Sequence, residues 1–187
     1  MNFLQSYFNY MENPDENWYR LLPNRSFAAA CVGYLVAAIA WVVFFNIGDG
    51  LNVFSLTTKL FFVFLAEITL GYFIASLTGM LLSFQKIPVP SSDLFALLGS
   101  AGFIKTLLLI GALVFACFPH AQVKFLSFLL LLFVLGLQFF YLSNVLKQWG
   151  NISFGRAFLY WMMGIFPGFV LFGLLGVFVL WGIILLF

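Results

Sequence analysis

Glu67 and Lys105 stand inside two long apolar runs, about Lys59 to Ser83 and about Leu94 to Phe118. A charge at the centre of a bilayer costs about 2.5–3.5 kcal/mol on insertion scales, so each of these two residues needs a reason to be there. If the second run enters the membrane near Lys59, Glu67 lies about 12 Å deep at about 1.5 Å per residue. If the third enters from the opposite face near Leu94, Lys105 lies about 16 Å deep on the same rise. In a hydrocarbon core of about 30 Å these two depths coincide. A short loop joins the runs, so antiparallel neighbours and an intramembrane Glu67–Lys105 pair are expected. The leading role for such a pair is structural: opposite charges offset each other's desolvation and fix helix register. The alternative is a small transporter or channel, with the pair as a proton or ion relay or the polar floor of a cavity. A third arrangement keeps the two apart, each neutralised or snorkelling separately.

Ser76, Thr78, Ser100, Thr106 and Gln138 are the residues available to extend a polar path from the pair, with Ser100, Thr106 and Gln138 the principal candidates. Single hydroxyls in apolar helices commonly bond back to their own backbone instead. His120 is the only histidine, beside Pro119 in an expected external loop. One histidine cannot build a two-histidine metal site, and no HExxH, paired-carboxylate or GxSxG pattern occurs. A Ser–His hydrolase would need His120 to reach a buried serine. Phosphate chemistry would want clustered arginines. Arg20 and Arg25, with Trp18, are better suited to lipid headgroups. A lipid-modifying enzyme would require Arg20, Arg25, Lys86 and Arg156 to converge at one leaflet. No catalytic activity, metal or other cofactor is expected. Cys31 and Cys117 fall near opposite membrane faces, so no disulfide is expected between them.

These residues must be positioned by a chain of 187 residues that is 64% hydrophobic and 7% charged. A soluble domain carries about 25% charged residues, and a small one has a large surface to cover with polar groups. The composition therefore excludes a soluble globular domain, and with it a disordered chain or a disulfide scaffold. The net charge of +2 contains no basic run, and 27 phenylalanines without a basic groove make no platform for bases, so nucleic acid is excluded as a partner. Continuously apolar stretches such as Phe125–Leu137 favour helices over the strict alternation of a membrane β-barrel.

The expected fold is all-α: a polytopic membrane bundle of five helices, at about 27–47, 59–83, 94–118, 124–143 and 157–187. The last run contains Pro167 and is longer than one crossing, so a kinked helix is expected, with two short helices as the lesser alternative. With five spans, Arg20, Arg25, Lys86, Lys147 and Arg156 share one side, against Lys59 and Lys124 on the other. The positive-inside rule then puts the N-terminus in the cytoplasm and the C-terminus outside. Residues 1–25 form a separate interfacial segment and 26–187 a single transmembrane domain. Phe3, Leu4, Tyr7, Phe8 and Met11 repeat at helical spacing, and Asn13-Pro14-Asp15-Glu16 reads as a helix start. Two short amphipathic helices on the membrane surface are expected there, anchored by Trp18 and Tyr19. The same segment holds Asn, Glu and Asp where a signal's apolar core would lie, so no cleaved leader is expected.

Small residues mark where helices approach. Gly71, Ala75 and Gly79 form a stripe beginning one turn after Glu67, and Lys105 shares a face with Ala101, Gly102 and Ala112. Ala29, Gly33 and Ala37 form a third stripe, and Gly164 and Gly168 a fourth, expected to pack inside the bundle.

Two segments together resemble the prokaryotic members of the Yip-domain family. They are Asn13-Pro14-Asp15-Glu16-Asn17-Trp18 before the first span and Gly150-Asn151-Ile152-Ser153-Phe154-Gly155-Arg156-Ala157 between the last two. The resemblance implies a five-span membrane protein with the same termini, in keeping with the chain's size. It departs from the family at Leu97–Phe103, which has no Tyr and no Pro where an Ala-Tyr-Ser-x-x-Pro-like segment is common. The family's eukaryotic members bind Rab-type GTPases through longer N-termini, a role that 25 residues do not copy. No catalytic residue carries over. What the resemblance implies is a multi-pass protein of a prokaryotic inner membrane. Its partners would be the lipid bilayer and a second membrane protein or another copy of itself.

Overall fold

The computed structural model describes residues 27–46, 53–116 and 120–186. Among these the chain is entirely helical: α1 (Phe27–Phe45), α2 (Val53–Phe84), α3 (Ser91–Ala101), a 3-10 turn (Gly102–Lys105), α4 (Thr106–Phe115), α5 (His120–Gly150) and α6 (Phe154–Leu186). Three stretches, Phe54–Phe84, Ser91–Phe115 and Phe125–Gly150, are long and apolar enough to cross a membrane, and Ala30–Phe45 is a shorter apolar helix. Their outer faces are unlike those of a soluble protein. Phe54, Phe61, Phe62, Leu113, Phe125 and Phe140 are all exposed. Long apolar helices that bare large apolar side chains suit an apolar surrounding, as in a membrane protein.

Several expected boundaries move. α2 begins at Val53 rather than Lys59, because Phe54 and Leu56 continue the apolar run and Thr58 Oγ1 bonds back to Phe54 O at 2.9 Å. The expected loop at 144–156 shrinks to a turn, since α5 carries through Asn144, Lys147 and Gln148 to Gly150. Polar residues continue a helix whose opposite side stays apolar, and Val145 and Leu146 are buried there. His120, expected in a loop, is the first residue of α5. Pro167 lies within one continuous α6, so the pair of short helices does not form.

Two turns share one geometry. After α2, the Ile87 N–H bonds to Leu82 O at 3.0 Å and the Lys86 N–H to Ser83 O at 3.0 Å, with Lys86 at φ 58. After α5, the Ile152 N–H bonds to Lys147 O at 3.2 Å, with Asn151 at φ 48. A left-handed residue just past the helix end lets the chain recapture the last carbonyls. Pro88 and Pro90 then prevent α2 from continuing, and Pro90, extended at φ −65 and ψ 144, precedes α3.

The interior has two apolar clusters. One gathers Tyr34, Ala75, Leu82, Leu94, Leu97, Leu146 and Trp161, where Trp161 Nε1 donates to Leu142 O at 3.0 Å. The other gathers Ala40, Phe44, Leu108, Ala112 and Val134. Between α1 and α3 the backbones nearly touch. A Cβ on Gly33 would overlap the Gly99 carbonyl, and one on Gly102 would press on the Gly33 carbonyl. α6 packs on α2 through Gly164, which faces Thr78, and Gly168, which faces Leu70, Phe73 and Ile74. Gly71 and Gly79 serve single side chains: Gly71 accommodates the Tyr34 ring and Gly79 the Ser91 hydroxyl. Ala75, between them, is buried.

Candidate functional site

At the junction of the two apolar clusters lies a group of three polar side chains. Trp41 and Ile104 pack against the second cluster, Phe64 and Ile68 against the first. Lys105 Nζ donates to Glu67 Oε1 at 2.6 Å, and Trp41 Nε1 donates to the same oxygen at 2.6 Å. The Lys105 ammonium also lies 5.1 Å from the centroid of the Trp41 ring, within cation–π range. The side chains of Lys105 and Glu67 are 8% and 19% exposed. One carboxylate oxygen thus joins α1, α2 and the 3-10 turn, so three helices converge on a single acceptor.

Each element contributes for a local reason. The 3-10 turn follows the contact of Gly99 and Gly102 with α1. At 3.0 residues per turn, four residues advance the chain about 80° further than an α-helix would. Lys105 is thereby buried together with Ala101 and Leu108 on the side that meets α1 and α2. Tyr34, about two turns before Trp41, holds α1 against α3: its hydroxyl donates to Phe95 O at 3.0 Å and its ring lies 4.9 Å from that of Phe95.

Trp41 is the member that the sequence alone did not single out. Its indole N–H needs an acceptor in an apolar setting, and Glu67 supplies it. Trp41→Phe keeps the ring and removes the donor. The loss is expected to be about 1.5–3 kcal/mol, the range for hydrogen bonds to charged groups, read as a lowered unfolding midpoint in detergent. An unchanged midpoint would mean that the indole N–H contributes nothing to holding α1.

The expected polar path is not continuous. Ser100 Oγ donates to Leu97 O at 2.8 Å and lies 3.4 Å from the Tyr141 hydroxyl. Thr106 Oγ1 donates to Phe103 O at 2.7 Å. Both hydroxyls satisfy themselves on their own helix, as short side chains in apolar helices do. Gln138 is half-buried on α5 and hydrogen-bonds to neither member of the pair. Thr78 and Ser143 are fully buried with hydroxyls lacking a hydrogen-bond partner. Trp18, Arg20, Arg25 and Cys117 lie outside the described residues. Among the described residues no group of three or more His, Cys, Asp or Glu could hold a metal ion.

A cleft of about 360 Å³ opens at the end of α1, lined by Trp41, Val42, Phe45, Asn46, Lys59 and Val63. Lys59 and Val63 lie eight and four residues before Glu67 on α2, hence on one helix face. Trp41 lines the cleft and also bonds Glu67, so it is common to both.

Compared with protein-family models, curated proteins and solved structures, the chain matches none of them.

Proposed function

We propose that this chain is a five-span protein of the Yip type in a prokaryotic inner membrane, with a cytoplasmic N-terminus and an external C-terminus. It is not an enzyme and acts through contacts with lipids or with another membrane protein. The observation that carries this reading is the convergence of Trp41 and Lys105 on one oxygen of Glu67 among packed helices. Such a pair is a clamp, and a clamp suits a scaffold. The 33-residue α6 and the apolar α1 are the elements that would make two further crossings beyond Phe54–Phe84, Ser91–Phe115 and Phe125–Gly150. The excess of Lys and Arg on the side of Lys86, Lys147 and Arg156 supports the orientation.

Reporter fusions in a bacterial host test the topology. Alkaline phosphatase joined after Phe187 is expected to be active and a fluorescent protein there dark, with the reverse after Ile87. Equal signs at both places would mean an even number of crossings between the two and would sink the five-span arrangement.

A second reading, a small transporter or channel using the Glu67–Lys105 pair, is favoured by a cleft lined by Lys59 and Val63, on the face of α2 that also carries Glu67. Water is what separates the two readings. A Glu67→Cys thiol labelled by a membrane-impermeant reagent as fast as a Lys59→Cys thiol favours transport. A shielded thiol favours the clamp.

A further inference from the structure

We propose that the cleft between the end of α1 and the first turns of α2 is a binding site for the headgroup of an anionic phospholipid. Its lining combines the two kinds of group such a lipid needs. Lys59 supplies an ammonium, and Asn46 positions it: Lys59 Nζ donates to Asn46 Oδ1, while Asn46 Nδ2 donates to Val42 O at 2.6 Å. Lysine has three donor protons, and one goes to Asn46, which leaves two for a phosphate oxygen. The other walls are Val42, Val63 and the stacked rings of Trp41 and Phe45, 5.5 Å apart at 10°. Because the Trp41 N–H is spent on Glu67, the indole offers the cleft only its ring.

The surroundings favour a lipid over a free anion. Phe45, one wall of the cleft, is 64% exposed, and four of the six described lining residues are apolar, so among the described residues the mouth of the cleft is largely hydrocarbon. An acyl chain can lie over that surface while its phosphate rests on Lys59, the arrangement by which basic pockets between membrane helices take headgroups. The volume lies in the range of ordinary ligand sites. The proposal rests on the membrane reading of the chain and is independent of the family assignment and of the role of the Glu67–Lys105 pair.

The test uses the full chain in detergent, titrated with phosphatidylglycerol, phosphatidylcholine or inorganic phosphate, with the thermal unfolding midpoint as readout. Phosphatidylglycerol is expected to raise the midpoint saturably, and the other two to leave it in place. Lys59→Gln is expected to weaken the apparent affinity for phosphatidylglycerol at least tenfold, and Lys59→Arg to keep it. Val63→Phe, which fills the cleft and leaves the charge, is expected to abolish the shift as well. An equal response to phosphatidylcholine, a full response to phosphate alone, or a phosphatidylglycerol response that survives both Lys59→Gln and Val63→Phe overturns the proposal. Reconstitution separates this failure from a larger one. A chain that enters phosphatidylcholine–phosphatidylglycerol nanodiscs without any lipid preference refutes the site alone. A chain that does not enter them refutes the membrane reading too.

Discussion

Lys105→Met is expected to lower the unfolding free energy by about 3–5 kcal/mol, the range for removing one partner of a buried ion pair. The reason is the residue left behind. Without Lys105, the Glu67 carboxylate keeps only the Trp41 N–H as partner inside an apolar bundle. Glu67→Gln is expected to cost less, because its amide oxygen still accepts from Trp41, while Lys105 loses an anion but keeps the Trp41 ring 5.1 Å away. The double variant, with neither charge, is expected to regain most of what Lys105→Met loses, since replacing both charges removes the desolvation cost along with the attraction. Unfolding midpoints of the four proteins in one detergent measure this cycle. Single variants as stable as the wild type, or a double variant that loses the sum of the singles, would refute the clamp.

Gly33→Ala is expected to destabilise by about 2–3 kcal/mol, toward the upper part of what overpacking costs. One methyl group suffices, because the atoms it would meet belong to the backbone of α3 rather than to a side chain that can swing away. Gly99 and Gly102 close the same contact from the other side, against Ala30 and Gly33. α1 and α3 can separate only by moving Trp41 and Lys105 apart as well, so a loss at Gly33 is expected to loosen the charged cluster. Gly136→Ala is the matched control. A Cβ there meets nothing within 4 Å, and alanine is the better helix former, so this variant is expected at or above wild-type stability. Thermal unfolding of both variants decides the matter. If they behave alike, the close approach of α1 and α3 contributes little.

The helical class was plain from the continuously apolar runs, and the proximity of Glu67 and Lys105 was legible from matching depths, a short connecting loop and the small residues on both faces. Depth was counted from Lys59 as the membrane's edge and not from the helix end, so α2 starting at Val53 does not enter the count. Faces are harder to read. α1 is apolar nearly all round, and the stripe of Ala29, Gly33 and Ala37, whose next step is Trp41, marks a packing face without saying that Glu67 lies opposite it. The one usable signal was chemical: an indole N–H in an apolar run must find an acceptor. The 3-10 turn at Gly102–Lys105 had no signal in composition, since it accompanies the contact between Gly33 and Gly99 on separate helices. Asn144, Lys147 and Gln148 read as loop because polarity was taken as the membrane's edge, whereas a helix can carry on past the hydrocarbon. Ser100 and Thr106 follow the commoner of the two readings open to them: their polarity is spent within one turn of their own backbone.

The charged cluster is made entirely of residues from the first 105 of the chain. Glu67 precedes Lys105 by 38 positions. At synthesis rates of about 5–20 residues per second, Glu67 is made about 2–8 seconds before the lysine that neutralises it. Trp41 precedes both, so an indole donor is on hand throughout that wait. Once Lys105 arrives the charges are matched, and α5 and α6 are added to a core that already carries no net intramembrane charge from the pair. The order of the residues along the chain thus lets the charges be matched before α5 and α6 are made.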